Sequence, residues 1–358
     1  MKLKIVASII ILLLVFIFGR VQKDVLDDVR LTKVIGYDKT NGKLTEATGL
    51  AAIHNVDKSI SNKVLTSKDT LSKENREKKN EQSDLRVASG TLEVVLYSNE
   101  VASKGILKLV DTLHRDPNIS SRLLLAVVDG ETKKILDNQY SNKDTGSFLS
   151  YLLEHNIKTG LLPKTNLHVF LSAYYTKGKT PYLPLIKLEN DGVLIKGIAL
   201  FKGDQYVKTI NRDEMFLFKA LLEKIKLGSL KVKLNEKSDV SVQSIITKKK
   251  IVVRNEKTKP EIFIQLKIKG IVREFEGKAL GKNVAKQTEQ ATNKQLENQA
   301  NRLIKDFQKL NIDPWGFGNE VKSHTRQWNA RKWKKDYPDI KINVKVHSDI
   351  TSSGIVKE

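Results

Sequence analysis

Toward the end of the chain, apolar and polar residues alternate strictly. Ile262, Ile264, Leu266 and Ile268 interleave with Phe263, Gln265, Lys267 and Lys269. Ile340, Ile342, Val344 and Val346 interleave with Lys341, Asn343, Lys345 and His347 in the same way. Successive side chains on a strand point to opposite faces, so each run predicts a half-buried strand with one mostly wet face. Between them, Ala300, Leu303, Ile304, Phe307 and Leu310 recur at helical spacing and form the buried stripe of a long helix over Val284–Leu310. The first half of that helix is rich in Gln, Asn and Thr and less committed to a core. Strands with one apolar face and a helix between them predict an open antiparallel sheet covered on one side.

The earlier part of the chain mixes the same signals. Val34–Asp38 and Leu44–Ala52 read as strands, Thr91–Tyr97 as another, and Leu123–Val128 as a central strand buried on both faces, because its apolar run is continuous. Val101, Ile106, Leu109, Val110 and Leu113 share one face of a helix over Asn99–His114, which Pro117 stops. Helices are also expected from Lys133, over Gly146–His155, over Leu167–Tyr175 and over Asp213–Leu227. Ser67–Arg86 is a solvated loop with a short helix at Lys73–Lys79. Val193–Lys202 is a strand that turns at Lys202-Gly203-Asp204 into Tyr206-Val207. Gly178, Pro181 and Pro184 give Lys177–Pro184 a linker composition. The expected organisation is a multidomain α+β protein with mixed or antiparallel sheets and helices on one face. Its parts are an anchor over 1–20, a first α+β domain over 21–192 and a second over 193–358, the last divisible into 193–240 and 241–358.

The start of the chain changes the picture. Lys2 and Lys4 precede an apolar run over Ile5–Phe18 broken only by Ser8, and Gly19 and Arg20 follow. A helix containing Ile9 to Leu14 has no polar face, so a buried core helix is excluded in favour of export or membrane insertion. Phe16-Ile17-Phe18 offers no small residue for a signal peptidase, which favours a retained anchor.

Charge comes next. The 358 residues carry 63 Lys and Arg against 41 Asp and Glu, a net charge of +22. Such a chain is attracted to anionic surfaces. The positive charge is mostly lysine spread along the chain rather than arginine grouped with aromatics, and a nucleic-acid partner is not expected. There is no cysteine, so disulfides, thiolate metal sites and thiol nucleophiles are excluded. His54, His114, His155, His168, His324 and His347 form no metal-binding spacing. No P-loop, nucleophile elbow or dinucleotide fingerprint occurs, and Gly316 and Gly318 make a lone G-x-G after a helix rather than a strand. No cofactor, metal or catalytic group is expected.

The most distinctive segment is Asp313-Pro314-Trp315-Gly316-Phe317-Gly318, with Trp328 and Trp333 beyond it; these are all three tryptophans of the chain. One reading is structural: Pro314 ends the long helix, the glycines permit a turn, and Trp315 and Phe317 pack back on the helix. The other is an aromatic surface for a partner or membrane interface, beside Arg326, Arg331, Lys332, Lys334 and Lys335. The structural reading is preferred.

Several segments, in order along the chain, resemble the Ger(x)C family of spore germination proteins. Val34-Ile35-Gly36-Tyr37-Asp38-Lys39 is similar to the family's I-G-I-D-K strand, and Leu113-His114-Arg115-Asp116-Pro117 to its L-x-R-D-P turn. Gly197-Ile198-Ala199-Leu200-Phe201-Lys202 is similar to its G-x-A-L-F-K strand. Asp313–Gly318, Trp328, Trp333, Tyr337-Pro338-Asp339 and Ile342–Val346 resemble its D-x-x-G-F-G…W…FPD…V-x-V-x-V ending. The resemblance implies a non-catalytic C subunit of a germinant receptor, bound to membrane-embedded A and B subunits at the outer face of the inner spore membrane. The alternative is an extracytoplasmic solute-binding module. The position of the family's lipid-bearing cysteine falls at Arg20, which cannot form a thioether, so the apolar segment itself would be the anchor.

Overall fold

A computed structural model of the chain describes residues 29–352, except 41–44, 55–59, 70–77, 79–80, 82–85, 89, 141–142, 191, 236–237, 256–258 and 276–281. The expected anchor, Arg20 and, but for Lys78, the expected helix at Lys73–Lys79 lie outside the described residues.

The first sheet contains β1 (Val29–Lys39), β2 (Thr45–His54), β3 (Ile60–Asp69), β4 (Arg86–Ala88), β5 (Val94–Ser98), β6 (Leu124–Val128), β7 (Tyr182–Glu189), β8 (Gly192–Lys202) and β9 (Gln205–Asn211). Their order is β3-β2-β1-β5-β6-β7-β8-β9, with β4 also alongside β1. The centre from β1 to β7 is parallel and the outer hairpins are antiparallel. Parallel neighbours need crossovers. These carry the helices α1 (Asn99–Lys104), α2 (Leu107–Arg115), α3 (Thr132–Leu136), α4 (Thr145–Lys158) and α5 (Leu167–Tyr175).

Both faces of this sheet are covered. Leu124, Ala126 and Val128 of β6 face one core with Leu136, Leu149 and Leu153, while Leu125 and Val127 face another with Ile106, Val110 and Phe170. This is why the apolar run of β6 is continuous. The helix expected over Asn99–His114 is two helices. Gly105 sits at φ 109°, and Asp204 in the β8–β9 turn accepts from the N–H groups of Ile106 (3.1 Å) and Leu107 (3.0 Å). The turn thus caps α2 and forces the break.

The second sheet has the order β10 (Leu230–Asn235), β11 (Ser238–Arg254), β12 (Glu261–Phe275), β13 (Ile342–Ser352). The two alternating runs are neighbours, with Ile262 opposite Ile342 and Leu266 opposite Val346. They are parallel, not antiparallel: α7 (Lys282–Leu310) crosses between them and reverses the chain direction. Its stripe Ala300, Leu303, Ile304 and Phe307 is buried against Ile264, Leu266, Val344 and Val346 on one face of the sheet, as expected. The helix α6 (Arg212–Leu222) lies between the two sheets, and one core runs from the first sheet through Phe216, Leu217 and Phe218 to the second. α6 ends at Leu222, short of the expected Leu227. The boundary expected at 192/193 falls in the β7–β8 hairpin, where Glu189 pairs with Gly192; the change of sheet comes between β9 and β10.

The polar first half of α7 has a specific task. β13 has no strand on its outer side. Its free N–H groups at Val346, Ser348 and Ile350 donate instead to Glu297 Oε1 (3.0 Å), Asn293 Oδ1 (3.0 Å) and Glu289 Oε1 (2.9 Å). Acceptors four residues apart lie on one helix face, and alternate residues share a strand edge. At the opposite margin, Gln295 bridges β10, accepting from Lys233 N–H (3.2 Å) and donating to the Lys231 carbonyl (3.1 Å). One helix therefore satisfies both margins of the sheet.

Candidate functional site

The segment Asp313–Gly318 follows α7, but Pro314 does not end that helix. Asn311 adopts φ 52°, its N–H donates to the Gln308 carbonyl (3.0 Å), and Ile312 N–H donates to the Phe307 carbonyl (3.0 Å). This left-handed cap stops α7 before the proline is reached. Asp313 then receives four N–H groups. Its carboxylate accepts from Phe317 (3.0 Å) and Gly318 (2.7 Å), capping α8 (Phe317–His324), and its carbonyl accepts from Gly316 (3.1 Å) and Thr180 (2.9 Å). Trp315 is buried, with ring centroids 4.9 Å from Phe307 and 5.9 Å from Phe218, and its Nε1–H donates to the Phe218 carbonyl at 3.1 Å.

The two glycines have different reasons. Gly316 has φ 75°. A Cβ on Gly318 would lie 2.4 Å from Trp333 Nε1 and 2.7 Å from the Gly178 Cα. Gly178, itself at φ 83°, accepts from Asn319 N–H at 3.1 Å. The stretch read as a linker is therefore the surface on which α8 is seated. Gly178 and Thr180 are thus members of the site that the sequence does not mark, because their approach to Gly318 and Asp313 spans well over a hundred residues. Trp333 of α9 (Ala330–Asp336) is buried 5.4 Å from the Tyr337 ring, and Trp328 is partly buried beneath Lys322, 5.6 Å away. Asp313, Trp315, Gly316, Phe317, Gly318 and Trp333 are thus brought together, and their rings face inward.

Burial pushes the Asp313 carboxyl up to about 7, against the opposing pull of its three backbone N–H neighbours and of Lys179. The folded state therefore holds a proton that the unfolded state, titrating near 3.8, has released. This contribution is fully present below pH 4 and is lost as pH rises through about 7. The unfolding free energy from denaturant titration should fall across that window, by at most about 1.4 kcal/mol per pH unit from this group. Asp313→Asn, which does not titrate, should flatten the profile; an unchanged profile would remove Asp313 as its source.

The other family-like segments are local devices. A Cβ on Gly36 would meet Thr132 Oγ1 at 2.2 Å, so the glycine lets α3 lie directly on β1. Asp38 caps that helix, accepting from Thr132 N–H (2.7 Å), Thr132 Oγ1–H (2.6 Å) and Lys133 N–H (2.9 Å). Asp38→Ala strands these donors and should cost about 2–3 kcal/mol by chemical denaturation. A cost below about 0.5 kcal/mol would show that the cap is dispensable. In Leu113–Pro117, Leu113 is buried, Arg115 pairs with Asp111 at 2.7 Å and Asp116 accepts from Asn118 N–H at 3.0 Å.

A cleft of about 1060 Å³ opens where the end of α4, the start of α6, β10 and α7 meet. Arg212, Asp213, Lys233, Lys294, Gln295 and Asn298 are among its lining residues, so it is a polar groove rather than a deep apolar pocket. Among the described residues no group of His, Asp and Glu is placed to hold a metal ion, and no helix is long and apolar enough to cross a membrane.

Two family models match in succession. Residues 22–188 match the spore germination protein N-terminal domain, and residues 196–354 match the spore germination B3/GerAC-like C-terminal domain. The gap between them falls in the β7–β8 hairpin. The chain is 28% identical to spore germination protein GerQC of Bacillus cereus over 356 residues, covering 97% of this chain and 98% of that one. It is 28% identical to spore germination protein KC of Bacillus subtilis (strain 168) over 167 residues, 44% of this chain and 41% of that one. The crystal structure of the GerBC protein has the same fold, with a TM-score of 0.59 at 17% identity, covering 88% of this chain and 96% of that chain.

Proposed function

The chain belongs to the Ger(x)C family of spore germination proteins, and from that membership we propose that it is the C subunit of a germinant receptor, a non-catalytic component assembled with membrane-embedded A and B subunits. The observation that carries this is the co-linear match to a spore germination protein over 97% of the chain. The geometry is consistent with it. The residues of the family-like segments are used for helix caps and close backbone contacts, not for lining the cleft. The polar, open cleft gives less support to a solute-binding module, which would need a more enclosed pocket.

The proposed tether is the apolar segment Ile5–Phe18, standing at the outer face of the inner spore membrane without a lipid at Arg20. Tagged protein recovered from spore membranes should bring down two polytopic subunits, keep Met1–Lys4, and resist extraction by salt. Deleting its gene should abolish the response to one nutrient class. Recovery from the soluble fraction, alone and beginning near residue 20, would overturn the reading.

A further inference from the structure

The second sheet leaves one broad face in solvent, and that face is strongly cationic. Lys248 of β11 stands directly opposite Lys267 of β12, which stands opposite His347 of β13. The next row is Lys250, Gln265 and Lys345. All six side chains are exposed. The acids beside these rows are matched to lysines: Asp349 to Lys269 at 3.2 Å, Glu261 to Lys341 at 3.4 Å, and Glu297 of α7 to Lys345 at 3.5 Å. Lys248, Lys250 and Lys267 make no ion pair among the described residues. Like charges directly opposite one another weaken a sheet, so fold stability alone does not account for the Lys248–Lys267 pair. Among these charges Ile246 and Val252 are 48% and 38% exposed.

What fits this face is constrained by the rest of the sheet. Both margins are occupied by α7 side chains, so a partner strand has no edge to extend. Contact must come through side chains, over a broad and anionic surface. The central cations are lysines, compact point charges suited to diffuse attraction rather than forked recognition. Arg254 is engaged 4.7 Å over the Phe263 ring. Lysines interspersed with exposed aliphatic residues match a headgroup layer, while a polynucleotide reader would present arginines and stacking rings.

We propose that the exposed face of β11, β12 and β13 docks on the headgroups of an anionic phospholipid bilayer, holding the body of the protein against the membrane. This rests on the tether proposed above, which raises the local concentration of the face at that surface.

The test uses the full chain with vesicles of phosphatidylcholine, and of phosphatidylcholine with phosphatidylglycerol. Flotation reads attachment, and amine labelling of Lys248, Lys250 and Lys267, with Lys158 on α4 as the control, reads docking. Flotation with both vesicles, and slowed labelling of the three lysines only on the anionic ones and only at low salt, is the expected result. Each cation near an anionic leaflet gives roughly a five-fold preference, so Lys250→Gln with Lys267→Gln should lower the docked-to-free ratio about 30-fold, read at Lys248. Flotation with both vesicles but equal labelling would overturn the docking face and leave the tether standing. Flotation on anionic vesicles alone, with protection, would support the face and overturn the tether. No flotation on either overturns both. Protection by duplex DNA but not by anionic vesicles would overturn the proposal in favour of a polynucleotide.

Discussion

Trp315→Ala should lower the unfolding free energy by about 3–5 kcal/mol, the usual range for removing a buried large aromatic. The ring touches Phe307 of α7 and Phe218 of α6, so its loss opens a cavity where the two halves of the core meet. The Phe218 carbonyl also loses the indole donor. Trp315→Phe keeps much of the ring volume and should cost less, with about 1 kcal/mol of its penalty from the missing hydrogen bond. Denaturant titrations of the three proteins separate these contributions. A Trp315→Ala protein of wild-type stability that no longer recovers receptor subunits would reverse the structural reading and make the segment a partner surface.

Leu303→Ala should cost about 2–5 kcal/mol. Leu303 has no exposure and lies within the stripe that α7 packs on the second sheet. Because α7 also supplies the acceptors for Val346, Ser348 and Ile350, the same substitution should speed hydrogen exchange at those three amides. A loss below about 0.5 kcal/mol, or unchanged exchange, would mean that the stripe does not hold the helix in place.

Periodicity made much of this architecture legible. The alternation in Ile262–Ile268 and Ile340–Val346 gives two neighbouring strands, and the apolar stripe gives the helix between them. Direction was not legible from alternation, which is the same for parallel and antiparallel pairs; the signal was the intervening helix, which makes a crossover. The alternation of β11 is broken for a local reason. Val240 and Val242 are buried, and so are Ile245 and Thr247, but Ser244 at φ 54° bulges between them and shifts the phase of the alternation by one residue. The aromatic segment was legible as a turn. Its partners Gly178 and Thr180 lie far away in sequence, in a stretch whose glycine and prolines read equally well as a linker. Nothing in a single strand's pattern reports which distant backbone will approach it.

The sealing of β13 by α7 has a consequence for synthesis. β12 finds its last neighbour only when residues 342–352 have been made, about ninety residues after β12 itself begins at Glu261. Until then its Ile- and Leu-rich edge is open to other chains. α7 is made in the interval, and it carries both the apolar stripe and the row of polar acceptors that will receive β13. A nascent chain in which α7 docks early can cover the sheet before its final strand exists. Shortened products that end inside or before β13 should therefore associate and be degraded, even though they retain every residue of the first sheet.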